Sequence, residues 1–292
     1  MKNLNRTDPE FAVPKIHGEL LMGKILERAG KLSAEEIELI LRHQKEQQLR
    51  FGEAAIGLGL ISYEDVGYAL SRQFSYPPVA MQTFSYPPAL VAATNPDSAE
   101  AEALRSIRAQ LNLRWFKGGQ KYLAIAGINQ GDGASTMIAN LGISFAQLGK
   151  RTLIIDANLR RPSQDGIFGL ASDAGLSDIL TERMGVEGLV RTTPFKDLSV
   201  LPAGMPVLNP TELVSHPAFE QLIDTLALRF DIILCDAPAF MSVADAVSIA
   251  GAAGGVMFVV RKHKTLLSHA RGANQLLIGT DIQVVGSILL DF

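Results

Sequence analysis

The sequence predicts a doubly wound α/β sheet, mostly parallel, preceded by a small all-α domain. Three observations carry that reading. From residue 98 onward, short and nearly continuous apolar strands alternate with segments of helical periodicity, the pattern of a parallel sheet covered by helices on both faces. One strand runs into a glycine-rich turn and then directly into a helix. Upstream of the sheet lies an internal repeat in which helix stop and start signals recur. A length of 292 residues with 47% hydrophobic content suits one large or two modest domains with ample core.

Residues 1–16 are polar with scattered prolines and read as a flexible leader. Residues 17–80 form the repeat module. Met22-Gly23 aligns with Phe51-Gly52, Gly30 with Gly59, Ser33 with Ser62, and Glu36 with Asp65, all at an offset of 29 residues. In each copy a glycine ends a short helix and a serine opens the next, with an acid three positions on. Two helical hairpins are expected, packed through their apolar faces. Residues 81–97, part of the Phe-Ser-Tyr-Pro-Pro repeat that begins at Phe74 and Phe84, read as an extended linker. Helical periodicity resumes at Ser98. Strands are expected at Leu123–Ala126, Thr152–Ile155, Leu198–Leu201, Ile232–Cys235, Val256–Val260 and Val284–Leu290.

Ligands in such sheets bind beyond the carboxyl ends of the strands, so three strand ends matter most. The first leads into Gly127 and then Gly131-Asp132-Gly133-Ala134-Ser135-Thr136. Gly131 and Gly133 permit backbone angles that turn main-chain N–H groups toward an anion at a helix N-terminus. Ser135 offers a hydroxyl for Mg²⁺ and Thr136 a hydrogen bond to phosphate. The lysine that normally neutralises β- and γ-phosphate charge is replaced by Ala134. The second strand end is Asp156-Ala157-Asn158-Leu159-Arg160-Arg161-Pro162, where Asp156 could hold a Mg²⁺ water or accept a proton from an attacking hydroxyl. The third ends at Asp236, placed as a Mg²⁺ partner. Arg160 and Lys150 are the candidate cations to compensate for Ala134.

These motifs resemble the bacterial tyrosine kinases that govern polysaccharide chain length, P-loop NTPases of the deviant Walker A type. The family's loop ends G-[ED]-G-K-S-T, its A′ strand D-x-D-x-R-x-P and its Walker B strand D-x-P-P. Further matches are Gly175-Leu176-Ser177-Asp178, Leu201-Pro202-Ala203-Gly204, Asn209-Pro210-Thr211-Glu212-Leu213, Asp245-Ala246 and Val259-Val260-Arg261. Together they cover residues 98–292, and the N-terminal repeat is similar to the EpsG type of chain-length determinant kinase. The resemblance implies ATP or ADP with Mg²⁺ as cofactors, Asp156 and Asp236 as catalytic carboxylates, and Ser135, Asp156 and Asp236 around the metal. It also implies an oligomerisation helix carrying Glu102, Arg105 and Arg108, and a membrane chain-length determinant protein, the polysaccharide co-polymerase, as partner.

Three departures stand out: Ala134 for the lysine, Asn158 for the second A′ aspartate, and Ala239 for the last proline. The first two weaken nucleotide binding and phosphoryl transfer. All five tyrosines, from Tyr63 to Tyr122, precede the phosphate loop, so the family's tyrosine-rich C-terminal tail is expected to be missing. Cell-division and partition ATPases share the A′ strand, but their signature lysine would stand at Asn129. The repeat module also resembles the N-terminal domain of type II secretion ATPases, some of which bind cyclic di-GMP through R-L-G segments. Here the corresponding residues are Leu21-Met22-Gly23 and Arg50-Phe51-Gly52. That leaves cyclic di-GMP binding and plain protein docking as alternative roles.

A net charge of −3 gives no electrostatic footprint for nucleic acid. The single cysteine, Cys235, lies in an apolar run and reads as a buried thiol of a reducing compartment. No segment is apolar enough to span a bilayer, so the chain is expected to be cytoplasmic, reaching the inner membrane through its partner. His263 and His269 read as surface residues, the run Arg261-Lys262-His263-Lys264 as a solvated approach to a helix, and Trp115 as a core or oligomer contact.

Overall fold

The computed structural model describes residues 18–47, 49–62, 65, 66, 69, 86–171 and 173–291. They fall into two compact units that divide after Phe74.

In the first unit, α1 (Gly18–Arg28), α2 (Ala34–Gln47) and α3 (Phe51–Gly57) enclose a core of Met22, Leu26, Leu32, Ile40, Phe51, Ala54 and Ile61. The repeat signals act as expected. Gly30 and Gly59 adopt left-handed φ of 69° and 67°, and Ser33 and Ser62 each accept from the backbone N–H three residues on. Glu36 and Asp65 return the bond to the serine N–H at 2.7 and 2.9 Å, so both capping boxes are closed. Arg50 stands at the N-cap of α3, its own N–H donating to Glu53. Most of the helix expected after Ser62, and the leader, lie outside the described residues.

The second unit is a seven-stranded sheet in the order β3-β4-β2-β5-β1-β6-β7. Its strands are β1 (Tyr122–Gly127), β2 (Thr152–Asp156), β3 (Arg191–Thr192), β4 (Leu198–Leu201), β5 (Ile232–Ala237), β6 (Gly255–Arg261) and β7 (Gln283–Leu290). All pairings are parallel except β3 with β4. The six strands read from the sequence are present; β3, two residues on an edge, gave no periodicity. Alternation along the central strands feeds two cores. Leu123 and Ile125 face one side and Ala124 and Ala126 the other, so both faces are dry.

The helices are α4 (Val91–Thr94), α5 (Ala99–Arg114), α6 (Ala134–Ala146), α7 (Gln164–Phe168), α8 (Leu176–Leu180), α9 (Pro210–Ser215), α10 (Pro217–Ala227), α11 (Asp245–Ala252) and α12 (Leu267–Gln275). The stretch expected as linker is not free along its length. Tyr86, Leu90 and Ala92 are buried in the core beside α6, and Tyr86 packs on Phe195 with centroids 5.2 Å apart. Buried Asn140 donates to the Ala89 carbonyl at 2.9 Å and accepts from the Ala92 N–H at 3.0 Å. Proline punctuation points to an irregular backbone, but it carries no information about burial. Trp115 is a core residue, its indole N–H donating to the Tyr122 carbonyl. Cys235 is fully buried, and burial pushes its thiol up to about 12. Among the described residues no helix is long and apolar enough to cross a membrane.

Candidate nucleotide site

The site is built at the carboxyl ends of β1, β2, β5 and β6. β1 delivers the chain to Gly127, and α6 starts at Ala134 with Gly133 as its N-cap. Gly131 and Gly133 take φ of 78° and 94°, angles that only glycine adopts cheaply. The first N–H groups of α6 have no partner within the helix and make a ready anion cradle. Asp132 engages its own loop. It is 1% exposed, and its Oδ2 accepts from the Asn129 N–H at 2.8 Å, which staples the loop into shape. Ala134, Ser135 and Thr136 are half-buried at the head of the helix.

Asp156 and Asp236 end adjacent strands and are direct register partners. Both are wholly buried, and burial raises both carboxyls above the ordinary range, Asp156 adding to the rise at Asp236. The two differ in satisfaction. Asp156 accepts from the N–H groups of Asn158, Ser163 and Gln164, at 3.3, 2.8 and 2.9 Å, so it fixes the turn after β2. Asp236 accepts from Gln164 Nε2 at 2.6 Å, and the Ser135 side chain lies near enough to oppose its rise. Its Oδ1, however, has no hydrogen-bond partner among the described residues. A buried carboxylate oxygen left bare is costly, and one beside a hydroxyl at a phosphate cradle fits Mg²⁺. Among the described residues no group of three or more His, Cys, Asp or Glu side chains gathers. Mg²⁺ typically binds through one or two protein oxygens plus waters and phosphates. Ser135 and Asp236 would hold it, with Asp156 adjacent.

Gln164 escaped the sequence reading. It is fully buried and bridges the phosphate loop to β5, donating to the Ser135 carbonyl at 3.0 Å as well as to Asp236. No local pattern marks a lone glutamine 29 residues from one partner and 72 from the other.

Arg160, expected at the nucleotide, is committed elsewhere. Its Nε donates to Asp245 Oδ2 at 2.7 Å and its Nη2 to Thr211 at 3.0 Å. Burial raises Asp245, but Arg160 and Thr211 bonds outweigh it and hold the carboxyl below its usual range. Several of the family-like motifs therefore knit loops together. Asp178 accepts from the N–H groups of Gly175 and Met205, and Asn158 accepts from the Arg161 N–H. On α5, Arg105 pairs with Glu102 at 2.7 Å and donates to the Pro96 carbonyl, while Arg108 donates to the Ser144 carbonyl on α6. These three are brought onto one helix, with both arginines engaged within the chain.

The run after β6 is not simply solvated. Lys264 Nζ lies 3.2 Å from the Gly131 carbonyl, and His269 Nδ1 lies 2.9 Å from Asn129 Oδ1. Both reach the phosphate loop across more than 130 residues of sequence, beyond any spacing argument.

Comparison with known proteins agrees with this architecture. Residues 120–281 match a family described as AAA domain. The chain is 32% identical over 200 residues to "Tyrosine-protein kinase YwqD" of Bacillus subtilis, covering 68% of this chain and 84% of that protein. It is 32% identical over 199 residues to "Putative tyrosine-protein kinase EpsB" of Ralstonia solanacearum, covering 68% of this chain but only 26% of that longer protein. Among solved structures, the chimerical protein CapA2B2 superposes with a TM-score of 0.66 at 30% identity, over 70% of this chain and 89% of that one. By these relationships, and by a P-loop fold with Ser135 at the head of α6 and Asp156 and Asp236 on adjacent strands, the chain belongs to the bacterial tyrosine kinase family.

Proposed function

We propose that this protein binds ADP or ATP with Mg²⁺ at the head of α6 and regulates exopolysaccharide chain length and export, with phosphoryl transfer to tyrosine weakened or lost. The observation that carries the reading is Ala134. A methyl group stands at the first residue of α6, in a loop whose glycine angles, hydroxyl and buried aspartates remain in place. The cradle's amides and Asp236 supply reasons to bind a magnesium nucleotide. The lysine's positive charge at the transferring phosphate has no counterpart on α6 itself, and removing one preorganised charge of that kind costs about a hundredfold or more in rate. Mg²⁺, when bound, would neutralise and align the phosphate oxygens.

Asn158 points the same way. Its side-chain oxygen accepts from the Arg161 N–H, so it holds a turn and offers no carboxylate for activating a hydroxyl. Neither described tyrosine suits an acceptor: Tyr86 is buried and the Tyr122 hydroxyl donates to Asp224. The role in polysaccharide export, the EpsG type and the membrane chain-length determinant as partner follow from the family resemblance. Incubation of wild type and Ala134→Lys with γ-labelled ATP and Mg²⁺ tests the reading. Slow or absent labelling of wild type beside faster labelling of the variant is expected. Equal labelling would make wild type an active tyrosine kinase instead.

A further inference from the structure

β6 lies beside β1 with Val259 opposite Gly127, so the turn after β6 emerges next to the phosphate loop. That turn is closed on itself. The N–H groups of Lys264 and Thr265 both donate to the Arg261 carbonyl, and the Arg261 N–H donates to Thr265 Oγ1 at 2.8 Å. His263 supplies the reversal with a left-handed φ of 60°. Lys264 is thereby laid over Gly131, with Nζ 3.2 Å from its carbonyl. A Cβ on Gly131 would stand 3.1 Å from that ammonium, a measure of how closely the lysine tip lies over the loop. The bond from His269 to Asn129 fastens the same segment to the loop at a second point.

Two other nearby cations are paired and a third is remote. Arg160 is paired with Asp245, and Lys262 is paired with Asp291 at 2.7 Å. Lys150 precedes the amino end of β2, whose length separates it from the site by roughly 15 Å at the usual strand rise. Lys264 forms no salt bridge among the described residues, and its bond there is to a neutral carbonyl. A phosphate oxygen is a stronger partner for an ammonium than a carbonyl. Next to Ser135 of that helix head, the wholly buried Oδ1 of Asp236 has no hydrogen-bond partner among the described residues, which suits the magnesium that accompanies a nucleotide.

We propose that Lys264, presented by the turn after β6, supplies the phosphates of a bound nucleotide with the positive charge that Ala134 cannot. The inference rests on the nucleotide-binding reading above and extends it. The ammonium arrives from the facing wall of the site on a flexible stem and not from the head of α6. It strengthens nucleotide binding without restoring the lysine's fixed position along the transfer path, which accounts for retained binding beside impaired transfer. Lys264 is a binding residue in this scheme.

The test is calorimetric titration of the full chain with MgADP in two backgrounds. Lys264→Ala in the wild-type background is expected to weaken binding by about tenfold or more, as for loss of a charge-assisted bond. Lys264→Arg should retain most of the affinity, and Lys262→Ala, whose partner is Asp291, should leave it unchanged. In an Ala134→Lys background the loss on Lys264→Ala should shrink to about threefold or less, because the two lysines serve one charge. Thermal unfolding confirms that each variant is folded. Unchanged affinity of Lys264→Ala, or an equal loss in both backgrounds, overturns the assignment while leaving nucleotide binding standing. Absence of binding by both wild type and Ala134→Lys overturns the nucleotide reading itself.

Discussion

Replacing Asp236 by asparagine is expected to stabilise the nucleotide-free protein, and to do so more at alkaline than at acid pH. Asp236 is 0% exposed, its Oδ1 lacks a hydrogen-bond partner among the described residues, and its strand neighbour is Asp156. Burial first, and the Asp156 charge second, raise its folded pKa. A raised carboxyl binds its proton more tightly folded than unfolded. Stability from this group is therefore fully present below the unfolded value near 3.9 and is lost as pH rises toward the folded value, by up to about 1.4 kcal/mol per pH unit. An unmet bond on a buried polar group costs about 1–3 kcal/mol, and more when the group is charged. Taking about 2 kcal/mol, and about 2–4 °C per kcal/mol for a unit of this size, the asparagine variant should unfold about 4–8 °C above wild type. The amide oxygen can still accept from Gln164, so the bridge to the phosphate loop survives. The assay is thermal unfolding by circular dichroism in EDTA at pH 5 and pH 8, then at pH 8 with Mg²⁺. The margin should open at pH 8, narrow at pH 5, and Mg²⁺ should raise wild type more than the variant. A variant that unfolds below wild type at pH 8 refutes the reasoning, because Asp236 would then be stabilising as a charged group.

Asn140→Ala should release the segment at residues 89–92, at a cost of about 1–3 kcal/mol for the two backbone groups it leaves unpaired; hydrogen exchange at the Ala92 amide should rise, and unchanged protection would show that apolar packing alone holds the segment. Arg160→Ala should cost about 1 kcal/mol at pH 7, discounted because the arginine is 41% exposed. The loss should shrink as pH falls below the ordinary carboxylate range, since a depressed Asp245 contributes above its unfolded pKa and ceases to contribute once protonated. Urea unfolding at pH 7 and at about pH 3 or below measures it, and a penalty independent of pH would mean that Arg160 acts through packing.

The sheet was legible because its central strands are buried on both faces, so Leu123 to Ala126 or Ile232 to Cys235 read as unbroken apolar runs. Helix boundaries in the repeat were legible because capping is local: Ser33 and Glu36 are three residues apart and bond each other. Asp132 was visible but its role was not, since a sequence cannot say whether an acid faces a ligand or its own loop. Arg160 looked like a phosphate contact because its partner Asp245 lies 85 residues away. Gln164 and Lys264 were hidden by the same physics. Parallel strands joined by long crossovers bring distant strand ends together, and periodicity reports only neighbours within one element. The docked segment near Leu90 was missed because prolines signal an irregular backbone, which can be buried or exposed.

In the proposed function, this phosphate loop keeps its capacity to hold a magnesium nucleotide while lacking the fixed charge that speeds transfer. Single-turnover phosphoryl transfer at saturating MgATP, comparing wild type with Ala134→Lys, separates the two most directly. Transfer faster by about a hundredfold in the lysine variant is the expected result. Equal rates in the two proteins would contradict the account, because the charge missing at Ala134 would then have no part in the chemistry.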